Sequence, residues 1–245
     1  MSLKAVLFDF NGIIINDESI HQKLIEDILL SENLVLKPGE YEEVCLGRSD
    51  RACLRDILSN RGRVVSEDDL TKLLLRKAQS YAVELEKLEK LPLYIGLDDL
   101  IFQLRARNIK LGIVSGAIRQ EIEVVLERSH LTEIFPVIVA GDDITTSKPE
   151  PDGYKLAVQL LNQTYPQLNL QPKDCLAIED TPPGILAAKR AGMQVVGVAN
   201  TYPFHMLQRQ ANWTIDYFTD LELERVQEIC NQSGDLSEEQ KDTSP

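Results

Sequence analysis

Four polar positions in this chain of 245 residues stand where short apolar runs stop. Asp9 closes the run Ala5 to Phe8, Ser115-Gly116 follows Lys110 to Val114, Lys148 lies in the loop 141–152 after Val137 to Ala140, and Glu179-Asp180 close Cys175 to Ile178. A carboxylate can attack phosphorus to give an aspartyl-phosphate. An acidic pair offers the hard oxygen ligands that Mg2+ takes beside waters and substrate phosphate. A lysine and the N–H groups of a helix start can hold the remaining phosphate oxygens. Each position alone has a plainer reading: Asp9 caps a loop, Ser115-Gly116 is a strand-to-helix turn, Lys148-Pro149 is a surface turn, and Asp180 or Thr181 before Pro182-Pro183 starts a helix. The coincidence of all four at corresponding strand ends points to phosphoryl transfer.

The elements that must position them alternate. Ala5 to Phe8 is too short for a helix and reads as a strand buried on both faces of a parallel sheet, with Gly12 turning the chain away. From Leu93 onward the pattern predicts helix Leu97 to Arg107, strand Lys110 to Val114, helix Ile118 to Arg128, strand Val137 to Ala140, helix Tyr154 to Leu161, strand Cys175 to Ile178, helix Gly184 to Ala191 and strand Gln194 to Val198. Strand and helix in turn mean βαβ units and a parallel sheet, whose carboxyl edge is where such folds bind ligands. A last edge strand or short helix is expected within Ile215 to Leu223.

Between the first strand and this region the periodicity is helical only. Leu24, Ile28 and Leu29 form one stripe, Leu54, Ile57 and Leu58 a second, and Leu70, Leu73, Leu74, Tyr81, Leu85 and Leu88 a third, with breaks at Pro38-Gly39 and Arg61-Gly62. These stripes read as the core of an inserted helical unit. A lone His21 on its first helix reads as a polar surface residue.

Composition narrows the partners. A net charge of -13 argues against a nucleic-acid surface. No apolar run is long enough to cross a membrane and no signal peptide is visible, so the expectation is a cytoplasmic protein. The four cysteines, Cys45, Cys53, Cys175 and Cys230, show no metal spacing, and Cys53 and Cys175 read as reduced core residues.

The segments FDFNG, IVSGA, SKPEPDGY and IEDTPPGILAAKRAGM resemble the four motifs of the haloacid dehalogenase superfamily, and the helical insert resembles the cap of its β-phosphoglucomutase and phosphoglycolate phosphatase-like branch. The resemblance covers nearly all the chain up to about Val198. It implies an α/β fold: a parallel-sheet, Rossmann-like core of residues 1–15 and 92–230, an all-helical cap of residues 16–91, and a polar, disordered tail of residues 231–245. It further implies a nucleophile at Asp9, a phosphate-holding hydroxyl at Ser115 beside Gly116, a phosphate-side Lys148, and a Mg2+ site of Asp9, the Asn11 carbonyl, Glu179 and Asp180. In the cap, Gly47, Arg48 and Ser49 resemble the loop that meets substrate, and His21 matches a position that β-phosphoglucomutases fill with His near the site.

The departure is Asn11, where the family's hydrolases place a second Asp as general acid and base; Asn16 is a smaller one. An amide cannot cycle a proton at neutral pH. The expectation is a Mg2+-dependent phosphatase of a small phosphorylated metabolite, slowed by Asn11, acting as a monomer or weak dimer without nucleic acid or membrane. Two alternatives keep the fold: a degenerate phosphometabolite-binding regulator, and a sugar phosphomutase, which Asn11 disfavours most because a mutase needs the same acid/base in both half-reactions.

Overall fold

The computed structural model describes residues 3–232. Its centre is a six-stranded, all-parallel sheet in the order β3-β2-β1-β4-β5-β6. In chain order come β1 (Ala5–Phe8), the helices α1 (Glu18–Ser31), α2 (Glu40–Val44), α3 (Asp50–Asn60) and α4 (Glu67–Glu86), then α5 (Leu97–Ala106), β2 (Lys110–Val114), α6 (Arg119–Arg128), β3 (Val137–Val139), α7 (Asp152–Thr164), β4 (Cys175–Glu179), α8 (Pro182–Arg190), β5 (Gln194–Val198), α9 (Phe204–Leu207), β6 (Trp213–Ile215) and α10 (Leu223–Gln232).

Side chains of successive strand residues point to opposite faces, and β1 shows how that builds two core layers. Val6 and Phe8 face a cluster with Leu100, Ile101 and Leu104 of α5 and Ile122 and Val125 of α6. Ala5 and Leu7 face a second cluster with Tyr154 and Ala157 of α7 and Ile185 and Ala188 of α8. Because β1 is the third strand of the six, Asp9 at its end emerges at the middle of the sheet, between β2 and β4.

The helical insert has a cluster of its own, in which Ile25, Ile28 and Leu29 of α1 meet Ile57 and Leu58 of α3 and Leu70 and Leu74 of α4, with Ile118 added from the sheet domain's side. The single stripe read on α4 is divided in space. Leu70, Leu74 and Ala78 enter this cluster, whereas Tyr81 and Leu85 join the sheet-side core together with Leu24 of α1. Helix α4 thus packs in both layers at once.

Several expectations are revised at element ends. Helix α7 begins at Asp152 and runs to Thr164, and α8 begins at Pro182, where proline suits the first helical turn. Strand β4 extends through Glu179, which is therefore fully buried. The segment after Asn212 supplies both a strand, β6, and a helix, α10. Asn231 and Gln232 belong to α10; the rest of the expected disordered tail lies outside the described residues.

Cys53 corrects the reading of a reduced thiol: it is joined to Cys45 by a disulfide, with Cα atoms 4.7 Å apart. The turn at Gly47 folds the end of α2 back beside the start of α3, and that brings the two within bonding reach. Cys175 is a free buried cysteine, as expected, and so is Cys230. Among the described residues no helix is long and apolar enough to cross a membrane.

One buried cation links the insert to the sheet domain. Lys77 of α4 is 1% exposed and donates to Asp50 of α3 at 2.7 Å and to Glu121 of α6 at 3.0 Å. Removing one partner of a buried ion pair leaves uncompensated charge, typically at a cost of about 3–5 kcal/mol. Lys77→Met should lower unfolding stability by about that amount; an unchanged urea midpoint would show that the cluster carries no such weight.

Candidate active site

The crevice lies where the carboxyl ends of β1, β2 and β4 meet the insert, and its walls include Asp9, Asn11, Gly116, Lys148 and Asp180 from the sheet side and His21, Gly47 and Arg48 from the helical side. Ser115 and Glu179, also expected at the site, are buried and do not line the crevice, and neither do Asn16 and Ser49.

Asp9 is 4% exposed. Its Oδ1 accepts the Phe10 N–H at 2.7 Å and pairs with Lys148 Nζ at 2.8 Å. Lys148 also donates to Glu179 Oε1 at 2.7 Å, and Tyr154 OH donates to the same oxygen at 2.6 Å. Burial works against the Lys148 charge, but the carboxylates of Asp9 and Glu179 outweigh it and push its pKa up. Burial, with Asp9 adding repulsion, pushes Glu179 up to about 7. Lys148 thus bridges Asp9 and Glu179. Tyr154 lies within the SKPEPDGY motif, which is the sequence signal for this layer.

Asp180 is the unsettled member. It is 1% exposed, its Oδ1 has no hydrogen-bond partner, and burial together with Asp9 and Glu179 holds its carboxyl well above the usual range. Carboxylate oxygens of Asp9, Glu179 and Asp180 fall within 4.8 Å of one another. An orphaned buried carboxylate oxygen beside two more acids, with a single lysine among the three, fits a small oxygen-seeking divalent cation. The tight turn that permits this is set by Gly12: its φ is +77°, and a Cβ there would lie 1.9 Å from Asp180 Oδ2.

Ser115 is 2% exposed and its hydroxyl accepts the Ala117 N–H at 3.0 Å. The crevice wall at this corner is Gly116 and Ala117. Gly116 marks a close approach of the two layers, since a Cβ on it would lie 2.7 Å from the Arg48 carbonyl oxygen. Gly47 similarly leaves no room: with φ +76°, its Cβ would meet Thr181 Oγ1 at 2.7 Å. The Ser49 N–H donates across the same seam to Ser147 Oγ at 2.8 Å. Arg48 keeps its guanidinium on Asp56, at 2.7 Å, and on the Val44 carbonyl, at 3.0 Å.

His21 is not a surface residue. It is 5% exposed, stacks on Tyr81 with ring centroids 4.8 Å apart, and sits between Asp17 and Lys77. Lys77 Nζ lies 2.6 Å from Nδ1, and Nε2 lies 3.1 Å from Asp17 Oδ2 and 2.9 Å from Asn11 Nδ2; burial and Lys77 work against a charge on the ring, but Asp17 and Glu121 outweigh them and push its pKa up to about 9. Asp17 is fully buried; burial opposes its charge, but His21, Tyr81 and Asn11 hold its carboxyl below the usual range. Asn11 Nδ2 donates to Asp17 Oδ1 at 3.0 Å and Oδ2 at 3.2 Å, an orientation required because the flipped amide would set oxygen against carboxylate. His21, Asp50 and Glu121 also place ligand atoms within 4.8 Å of one another, but the Lys77 ammonium touches all three and fills the place a metal would take. Lys77 and Glu121 escaped the sequence reading. Their signal was a charge on an otherwise apolar stripe, among Leu70, Leu74, Ala78 and Tyr81 for Lys77 and among Ile122, Val125 and Leu126 for Glu121.

Comparison with known proteins bears on this constellation. The family model described as haloacid dehalogenase-like hydrolase matches residues 6–198. The chain belongs to that family. The β-phosphoglucomutase of Bacillus subtilis (strain 168) is 31% identical over 232 residues, covering 94% of this chain and 96% of that protein. Validoxylamine A 7'-phosphate phosphatase of Streptomyces hygroscopicus subsp. limoneus is 28% identical, covering 81% and 87%. Among solved structures, a mutant CbbY of Rhodobacter sphaeroides in complex with xylulose-(1,5)bisphosphate is similar with a TM-score of 0.77 at 25% identity, covering 91% of this chain and 97% of that one. As a member of this family the chain is a hydrolase-class enzyme with a parallel-sheet core.

Two outcomes test the geometry. Mg2+ at roughly 100 times its dissociation constant should raise unfolding stability by about 2.7 kcal/mol, and Asp180→Ala should abolish the effect; unchanged Mg2+ affinity of that variant by calorimetry would remove Asp180 from the metal site. Gly116→Ala should lower kcat/KM at least about tenfold, a loss of about 1.4 kcal/mol, because its Cβ holds the Arg48 loop away; wild-type kinetics would mean that the seam need not close.

Proposed function

We propose that the chain is a Mg2+-dependent phosphatase of a small phosphorylated metabolite, working through an aspartyl-phosphate on Asp9 and slowed by Asn11. The observation that carries this is the pairing of Asp9 with Lys148 beside the unpartnered Asp180 oxygen at the central strand ends. Asp9, Asp180 and the Asn11 carbonyl would hold Mg2+, with Glu179 nearby; when bound, the ion supplies positive charge against the phosphoryl oxygens and binds them in a fixed orientation.

The protein's own groups do the rest. Asp9 Oδ1 is held by the Phe10 N–H and Lys148, which leaves Oδ2 for attack on phosphorus. Attack forms the Asp9–phosphorus bond and breaks the ester bond, and the leaving oxygen takes a proton from water. Lys148 and the main chain at Gly116 and Ala117 face the phosphoryl group and stabilise its charge. Water then cleaves the acyl phosphate and regenerates Asp9. Asn11 faces this path with an amide whose donors point at Asp17, so neither protonation of the leaving group nor activation of water has a titrating partner there.

The helical residues 16–91 act in this reading as a cap over residues 1–15 and 92–230. The crevice encloses about 40 Å³, room for a few waters rather than for a sugar, so the cap must swing away to admit substrate. The relatives support a phosphate ester as substrate: one is named for a phosphate it hydrolyses, and another was solved with a bisphosphate. The mutase reading is weaker despite the β-phosphoglucomutase relative, because Asn11 removes a proton carrier needed twice.

Positioned proton transfer is worth about 10²–10⁴-fold in rate. Asn11→Asp should recover about that factor on alkyl phosphates, where the leaving oxygen needs a proton, and much less on p-nitrophenyl phosphate, whose leaving group does not. The introduced carboxyl would share a proton with Asp17, which favours a general acid. Freshly prepared protein is needed because Asn11-Gly12 is prone to deamidation. If the variant is no faster on any alkyl phosphate and both proteins are inert, the binding-regulator reading replaces the catalytic one.

A further inference from the structure

The two ends of the crevice differ in charge. At the phosphoryl end, Lys148 pairs with Asp9 and Glu179, and a divalent cation held there would offset the remaining charge of the three acids. The opposite wall is built by the helical layer and contains Glu18, Tyr41 and Asp50. Glu18 is the first residue of α1; Tyr41 OH donates to its Oε1 at 2.5 Å, and no lysine, arginine or histidine of the described residues pairs with it. Asp50 pairs with Lys77, but Lys77 is shared with Glu121. Behind the wall, among the described residues Asp17 forms an ion pair only with His21. On and behind this wall four carboxylates, Asp17, Glu18, Asp50 and Glu121, face one lysine and one histidine; burial pushes the Glu18 and Glu121 carboxyls up, and when they ionise the wall keeps a negative excess. Arg48, the one arginine lining this crevice, is tied to Asp56.

A second phosphate or a carboxylate on the substrate would meet that excess at short range, where like charges repel strongly. A hydroxyl could donate to Glu18, but a neutral hydrogen bond leaves the excess in place. An ammonium both donates and neutralises it, and hydrogen bonds with an ionised partner are roughly twice as strong.

We propose that the substrate is a phosphate monoester of an amino compound, whose ammonium group is recognised by Glu18 with Asp50 beside it. This rests on the phosphatase reading above and narrows it to one chemical class. Phosphorylated acids and bisphosphates are poor substrates, unlike the bisphosphate ligand of the CbbY relative. Glu18 is the specificity-determining residue.

The test uses matched esters. Phosphoethanolamine, 2-hydroxyethyl phosphate and phosphoglycolate share a two-carbon skeleton and differ in end charge; glucosamine 6-phosphate, glucose 6-phosphate and 6-phosphogluconate form a larger set. In the Mg2+-loaded wild type, kcat/KM in at least one set should fall from amine to neutral to acid, by about tenfold or more at the first step. Glu18→Gln should erase the amine-to-neutral ratio within that set, a quantity in which any general loss of rate cancels. A neutral or acidic member equal to or better than the amine in both sets overturns the proposal, as does an amine preference that survives Glu18→Gln. p-Nitrophenyl phosphate keeps the two readings apart: if it is hydrolysed without any amine preference, only the substrate class fails. If nothing is hydrolysed, the phosphatase reading fails, and the same ratios read as dissociation constants by calorimetry decide the amine preference.

Discussion

Three carboxylates and one lysine are buried together at the end of a central strand, and much of the architecture follows from keeping them there. An ionised carboxylate out of water is stable only when paired or hydrogen-bonded. Lys148 satisfies Asp9 and Glu179 together, and Tyr154 supplies a further bond to Glu179. Asp180 keeps one oxygen without any partner. The imbalance is local and directional, and it sits where parallel strand ends leave a crevice. Gly12 is part of the same constraint, because no larger residue could pass beside the Asp180 carboxylate.

A second buried ion cluster does a different job. Lys77 holds Asp50, Glu121 and His21 at once, and so connects α3, α4 and α1 of the helical layer with α6 of the sheet layer. Its members have the types and spacing of a metal site, yet the ammonium already occupies the centre. Buried pairs of this kind add little net stability over apolar packing but are costly to break. This one ties the two layers together where the Arg48 loop lodges against Gly116.

Asn11 lies between the two clusters. Its backbone belongs to the turn after β1 and its amide belongs to Asp17. Amide and carboxylate complement one another here: the fully buried Asp17 needs donors, and Asn11, His21 and Tyr81 supply them. The Asn11 amide thus supplies hydrogen bonds to the structure beside the crevice.

Much of this was legible in the chain. Short apolar runs ending in Asp9, Ser115 and Glu179-Asp180 determined a parallel sheet and the placing of polar groups on one edge, because strand polarity in βαβ units leaves no other edge for them. Helical periodicity between Asp17 and Leu91 determined an insert without strands. Tertiary structure decided what depends on distances between elements. The Cys45–Cys53 disulfide exists because two helix ends meet at a turn. The burial of His21 follows from a lysine 56 residues away. The division of the α4 stripe between two cores, and the acidic wall formed by Glu18 and Asp50, follow from how the layers are stacked. Periodicity along a chain reports which face of an element is buried; what that face is buried against is settled only by the partner that covers it.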